Sequence, residues 1–159
     1  MRIIVFSDSH NDFHSPSKVI MAHPGASLFL HLGDGVREWE DLCCAYPEKK
    51  ILFVRGNCDW GSDAKTEGLV VCEDRKIFFT HGHTYDVKRE LGRLIQRAQS
   101  MGADIACFGH THKPMSAYTT GLYLLNPGSI ATPRKDPPSY GIIDIMESGI
   151  VVSTAILRI

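Results

Sequence analysis

Three short segments, RIIVFS (Arg2–Ser7), SLFLHL (Ser27–Leu32) and KILFV (Lys50–Val54), are apolar along nearly their whole length. A strand with one wet face alternates polar and apolar residues. These do not, so both of their faces must be covered, as in a parallel sheet sandwiched by other layers. The intervening segments read as helices. Ser15 followed by Pro16 opens a short one, with serine as cap and proline in the first turn. Val36–Tyr46 forms a second, which Pro47 stops. The order β-α-β-α-β follows.

The second half changes character. Leu69–Glu73 and Lys76–Thr80 read as a hairpin turning at Asp74-Arg75. Asp86–Met101 reads as a helix with Val87, Leu91, Leu94, Ile95, Ala98 and Met101 on one face and Gly102 at its end. Ala103–Phe108 is another buried strand. Met115–Thr119, Leu122–Leu125, Tyr140–Met146 and Ile150–Ile159 follow as strands between Gly- and Pro-containing turns. The expected fold class is α/β, with one domain over residues 1–159 in which two sheets pack face to face with helices outside.

Composition narrows the function classes. The 159 residues are 43% hydrophobic and 22% charged, as in an ordinary globular domain. A formal charge of −1 supplies no basic footprint, which argues against nucleic acid as a partner. No apolar run approaches the roughly 20 residues of a membrane span. MRIIVFSDSH turns polar too early for a signal peptide, so a cytoplasmic location without membrane association is expected. The five cysteines contain no CxxC pair and read as reduced thiols, with Cys72 and Cys107 as small core hydrophobes. No GxxxxGK[ST] occurs, which removes a P-loop nucleotidase.

The chemistry lies at the strand ends. Asp8 and His10 follow the first strand, Gly33-Asp34 the second and Gly56-Asn57 the third; His81 follows KIFFT, and His110 and His112 follow ADIACF. In α/β sheets, sites form at the C-terminal ends of strands, and glycine there permits close backbone approach. Two carboxylates, one amide oxygen and four imidazoles make a mixed N/O set suited to first-row divalent metals rather than calcium. Seven ligands exceed the need of one ion with an open position. They fit two ions bridged by a carboxylate and a solvent oxygen, an arrangement that activates a nucleophile for phosphoryl chemistry. Two divalent ions against Asp8 and Asp34 leave about two positive charges, so the pocket attracts anions such as phosphate esters.

The series D-x-H, GD, GN, H, G-H-x-H resembles the calcineurin-like metallophosphoesterase family. With the NPGS at Asn126–Ser129 and the short chain, it is similar to the compact bacterial and archaeal phosphodiesterase branch of YfcE-like and MJ0936-like proteins. The resemblance implies a four-layer α/β/β/α sandwich, two mixed sheets flanked by helices, with a dinuclear site. It implies that Asp8, His10, Asp34 and His112 hold one metal, and that Asp34, Asn57, His81 and His110 hold the other, with Asp34 bridging. Asp34, Asn57 and His81 are then the catalytic residues, holding a metal-bound hydroxide that attacks phosphorus in line, with no separate protein nucleophile. The implied cofactors are two divalent transition metal ions, Mn first, with Ni, Fe, Co or Zn as other occupants. The implied substrate is a small phosphodiester, and the relatives' assemblies imply a homo-oligomer, a dimer or tetramer.

Where much of that superfamily carries histidine after the GN asparagine, this chain has Cys58, which cannot become a cation as imidazole does. Asp59 has two readings: an acceptor that fixes the tautomer of a ligand imidazole, or a residue that shapes the turn. His83, Lys113 and Arg134 are candidate substrate contacts beside the motifs. His31 and Trp39 read as packed core, His14 and His23 as solvated; Trp60, in a polar loop, fits a rim or an interface. The competing class is a non-catalytic interaction scaffold of the same fold, like the retromer subunit; the complete ligand set favours the enzyme.

Overall fold

The computed structural model describes residues 1–158. It contains two five-stranded sheets. The first has the order β10-β9-β1-β2-β3 and the second β4-β5-β6-β8-β7. In the first, β1 (Arg2–Phe6), β2 (Leu28–His31) and β3 (Ile51–Phe53) run parallel, and β9 (Ser139–Met146) pairs antiparallel with both β1 and β10 (Gly149–Ile156). In the second, β5 (Arg75–Thr80), β6 (Ile105–Phe108) and β8 (Leu122–Pro127) are parallel. Its edges, β4 (Glu67–Cys72) and β7 (Pro114–Thr119), are antiparallel to their neighbours.

Three apolar clusters separate four layers. Ile3, Val5, Leu30, Ile77, Cys107 and Leu125 meet between the sheets. Ile4, Phe6 and Phe29 face outward under α1 (His14–Ala22) and α2 (Val36–Ala45), which contribute Val19, Ile20, Trp39 and Leu42. Phe78, Ala106 and Leu124 face α3 (Gly92–Ser100), which contributes Leu94 and Ala98. Successive β1 residues point alternately into the first two clusters, which is why the strand is apolar throughout. The α/β/β/α sandwich is as expected, and Cys72 and Cys107 are buried free thiols.

The structure departs from the local readings in four places. α1 begins at His14, not Ser15, because the Asp12 carboxylate accepts from the His14 and Ser15 amides (2.9 and 3.0 Å) and acts as its cap. The helix expected over Asp86–Met101 is formed only from Gly92. His83–Tyr85 is a single 3-10 turn, and Asp86 sits at φ 56°, which breaks the helical path. The apolar face is nonetheless real, since Val87 packs in the same cluster as Leu94 and Ala98. The last strand stops at Ile156; of its expected span Ile150–Ile159, Ile159 lies outside the described residues. His23 is half-buried rather than solvated, its Nε2 3.1 Å from the Tyr140 hydroxyl.

Candidate metal centre

The parallel strands of both sheets end at one edge of the sandwich, and all seven expected ligands gather there. Asp8, His10, Asp34 and Asn57 come from loops after β1, β2 and β3; His81, His110 and His112 come from loops after β5 and β6. The loops are drawn in by close backbone contact. A Cβ on Gly56 would lie 2.1 Å from Asp34 Oδ1, and one on Gly109 would lie 1.9 Å from Ser7 Oγ, so neither position has room for a side chain. Asp8, His10, Asp34, His110 and His112 all have φ between 43° and 66°, the left-handed region that non-glycine residues rarely occupy. Such strain persists where the surroundings over-determine it, and it concentrates at functional sites.

Two groups of donors form. In one, the His81 Nε2 atom lies 3.1 Å from Asn57 Oδ1, 3.3 Å from Asp34 Oδ2 and 3.2 Å from His110 Nδ1. The His81 Nδ1–H donates to the Leu32 carbonyl at 2.8 Å, which turns the lone pair of Nε2 toward the others. In the second, Asp8 Oδ1 lies 3.1 Å from His112 Nε2 and 3.8 Å from His10 Nε2. There the His112 Nδ1–H donates to the Thr132 carbonyl at 2.7 Å. Asp34 lies within reach of both groups, as its carboxylate clusters with Asp8 and His81 and also with His10 and Cys58.

These contacts set lone pairs against lone pairs. Asp8 Oδ1 is fully buried and accepts no hydrogen bond, a costly state for a carboxylate oxygen. A positive charge between the facing atoms relieves it. Both histidines are drawn toward the charged form: the contact with Asp8 raises the pKa of His112, and for His81 the Asp34 and Asp8 carboxylates outweigh burial and raise it too. Burial opposes the charged form of Asp34, yet His81 and the Cys58 amide (2.7 Å to Oδ1) hold its carboxyl well below the usual range. A divalent ion answers the same demand. Bonds of about 2.1 Å to neighbouring donors of one ion leave those donors about 3 Å apart, the spacing found here. The residues present therefore fit the implied metals.

Around this core, Asp59 takes the turn-shaping role. Its Oδ2 accepts from the Asp34 and Gly56 amides (both 2.7 Å), and its Oδ1 from those of Gly35 and Val36 (2.8 and 2.9 Å). It thereby clasps the β2 and β3 loops together and caps α2 from outside. It accepts from no imidazole. Desolvation, then the Asp34 carboxylate, pushes the Cys58 thiol up to about 11, although the side chain reaches solvent, so it is neither thiolate nor acid at neutral pH.

Of the candidate substrate contacts, the His83 ring lies tilted beside those of His81 and His110 (ring centroids 5.4 and 6.2 Å), with Nδ1 buried and unpartnered. Lys113 and Arg134 are exposed on the rim, Arg134 near enough for its charge to act on His112.

Several supporting residues were not legible as such. Ser129 Oγ donates to the Asp8 carbonyl at 2.8 Å. Asn126 Nδ2 donates to the Gly109 carbonyl and Thr111 Oγ1, both at 3.0 Å, so the NPGS segment braces the β1 and β6 loops. Glu38, in the first turn of α2, is buried and accepts from Ser9 Oγ (2.7 Å) and the Asn11 amide (2.8 Å). His31 and Trp39 are core, stacked at 4.7 Å behind Ser9. The seven ligand positions had a sequence signal, glycine or histidine spacing after apolar strands; NPGS stood out only as a motif of the resemblance, and Ser9 and Glu38 had no signal.

No helix among the described residues is long and apolar enough to cross a membrane. Residues 1–148 match the calcineurin-like phosphoesterase superfamily domain. The chain is 35% identical over 148 residues to the probable metallophosphoesterase YsnB of Bacillus subtilis, covering 91% of this chain and 85% of that protein. It is 28% identical over 170 residues to the phosphodiesterase YfcE of Escherichia coli, covering 91% and 88%. The crystal structure of a predicted phosphoesterase from Streptococcus pneumoniae superposes with a TM-score of 0.84 at 29% identity, covering 98% of this chain and 88% of that one. By motif, fold and relatives alike, the chain belongs to the calcineurin-like phosphoesterases, in their compact YfcE-like branch.

Proposed function

We propose that the protein is a dinuclear-metal phosphodiesterase acting on small phosphodiesters. Asp8, His10, Asp34 and His112 would hold one ion and Asp34, Asn57, His81 and His110 the other, with Mn the first choice for this N/O set. Bound there, two divalent ions would polarise the phosphoryl oxygens and lower the pKa of water. The chain's residues do the rest. His81 and His112 keep their Nε2 lone pairs inward through their Nδ1 hydrogen bonds to Leu32 and Thr132. Asp34 reaches both donor groups, and Asp59 fixes its backbone. Cys58 stands where an imidazolium would help a poor leaving group, and its neutral thiol favours esters whose leaving oxygen needs no proton.

The observation that carries this reading is the buried Asp8 Oδ1, which accepts no well-formed hydrogen bond yet faces two histidine nitrogens at 3.1 and 3.8 Å. The test is hydrolysis of bis-p-nitrophenyl phosphate by metal-stripped protein titrated with Mn²⁺, with metal content measured in parallel. Activity should appear with bound metal and fall at least about 100-fold in Asn57→Ala, the scale of losing one preorganised transition-state contact. Two bound ions with no turnover of any aryl diester would instead favour the scaffold.

A further inference from the structure

We infer that the groove beside the metal centre is a subsite for a nucleoside arm of the diester, with its base stacked on Trp60. The inference rests on the phosphodiesterase reading and adds the substrate class. An open groove of about 680 Å³ runs outward from His10, Asp34 and Cys58, between the first turns of α2 and the loop over residues 58–64. Trp60 lines it with its side chain 90% exposed. An indole left in water forfeits the burial that usually justifies it, and Trp60 pairs with no other ring among the described residues.

Its backbone is not loose. The preceding residue, Asp59, holds four amides, and the Ser62 amide closes a turn onto the Asp59 carbonyl at 3.3 Å. An aromatic face is therefore presented at low entropic cost, the property of a binding anchor.

Size and charge select the occupant. A methyl or small aliphatic arm would leave most of this volume to water, whereas ligand-sized clefts of this order take a nucleoside. The Asp59 oxygens and Glu38 Oε1 are already engaged in hydrogen bonds, and the groove's lining sets Arg37 against the carboxylates of Asp34, Glu38, Glu40, Asp59 and Asp63. That balance repels a second phosphate. It offers carboxylate acceptors to base amines and sugar hydroxyls, and one guanidinium donor to a base edge. The substrate carries a single phosphate, seated at the metal centre, with a neutral nucleoside in the groove.

Two esters with the same leaving group test this. Water cleaves thymidine 5′-(p-nitrophenyl phosphate) at the aryl P–O bond to thymidine monophosphate and p-nitrophenolate; methyl p-nitrophenyl phosphate lacks the nucleoside. The Mn-loaded protein should prefer the nucleoside ester by about tenfold or more in kcat/KM, the scale of one base–aromatic stack. Trp60→Ala should abolish that preference, and Trp60→Phe should retain most of it. Equal rates for the two esters, or a preference that survives Trp60→Ala, overturn the subsite while leaving the phosphodiesterase reading intact.

If neither ester turns over, that reading fails, and binding decides the subsite. Trp39 is fully buried, so quenching of tryptophan emission by deoxyadenylyl-deoxyadenosine, whose only phosphate is the internucleoside diester, reports Trp60. Saturable quenching that is absent in Trp60→Ala supports the subsite, and none in the wild type overturns it. A dimer that dissociates on Trp60→Ala, seen by light scattering, also overturns it by giving the ring to a contact between copies.

Discussion

Asp59 illustrates how one side chain sets the geometry of others that do the chemistry. Four backbone amides from residues 34–36 and 56 converge on its two oxygens, and those amides carry the bridging candidate Asp34. Asp59→Ala would leave them to partial solvation. A loss of about 2–3 kcal/mol is expected, measured by denaturant titration, together with weaker metal binding by calorimetry. His31 makes a second residue-scale prediction. Burial holds its pKa down at about 3; its Nδ1 accepts weakly from the Gly33 amide (3.4 Å), and its Nε2 meets Ser9 Oγ. Below pH 6.5 the unfolded chain binds a proton there that the folded chain refuses. Stability should therefore fall as pH drops from about 6.5 toward 3, by up to about 1.4 kcal/mol per pH unit from this ring. Wild type and His31→Gln, compared by denaturation across that range, should differ in slope by that amount; parallel curves would refute it. The ligands were legible in the sequence because each follows a strand's end. Asp59 was legible only as an ambiguity, since three of its four partners lie 23 to 25 positions away.

Among the elements, the central strands β1, β2 and β6 followed closely from their apolar runs, because burial on both faces leaves little else those residues can do. α3 did not. Its periodicity extended to Val87, but a left-handed Asp86 and a 3-10 turn interrupt the backbone, and hydrophobic spacing reports which side faces the core, not which residues are helical. Gly92, the first residue of α3, lies in open space without a left-handed φ. Gly92→Ala should then stabilise the protein by about 0.5 kcal/mol through a less flexible unfolded chain, read from the denaturation midpoint at constant slope. The site's own elements are held in the opposite way. Five left-handed ligands store strain in the loops that supply them, which no pattern of residue types announces.

At the scale of the molecule, the donors divide between the two sheets, four on the loops of the first and three on those of the second. Ions bound there would join the sheets at one edge. Saturating Mn²⁺, at about a hundredfold excess over its Kd, should add about 2.7 kcal/mol and raise Tm by roughly 5–10 °C, by calorimetric scan with and without chelator. An unchanged Tm with metal demonstrably bound would deny the link. Elsewhere the two sheets are joined unequally: β10 packs against β7 and β8 along one side, while an open groove of about 510 Å³ separates the β3 and β4 edges on the other. The sandwich is thus closed along β10 and open between β3 and β4, and ions held by donors of both sheets would tie it at a second place. On the metal-centre reading, a chain deprived of divalent metal would lose that second tie as well as its chemistry, and its survival against proteases would then follow metal supply.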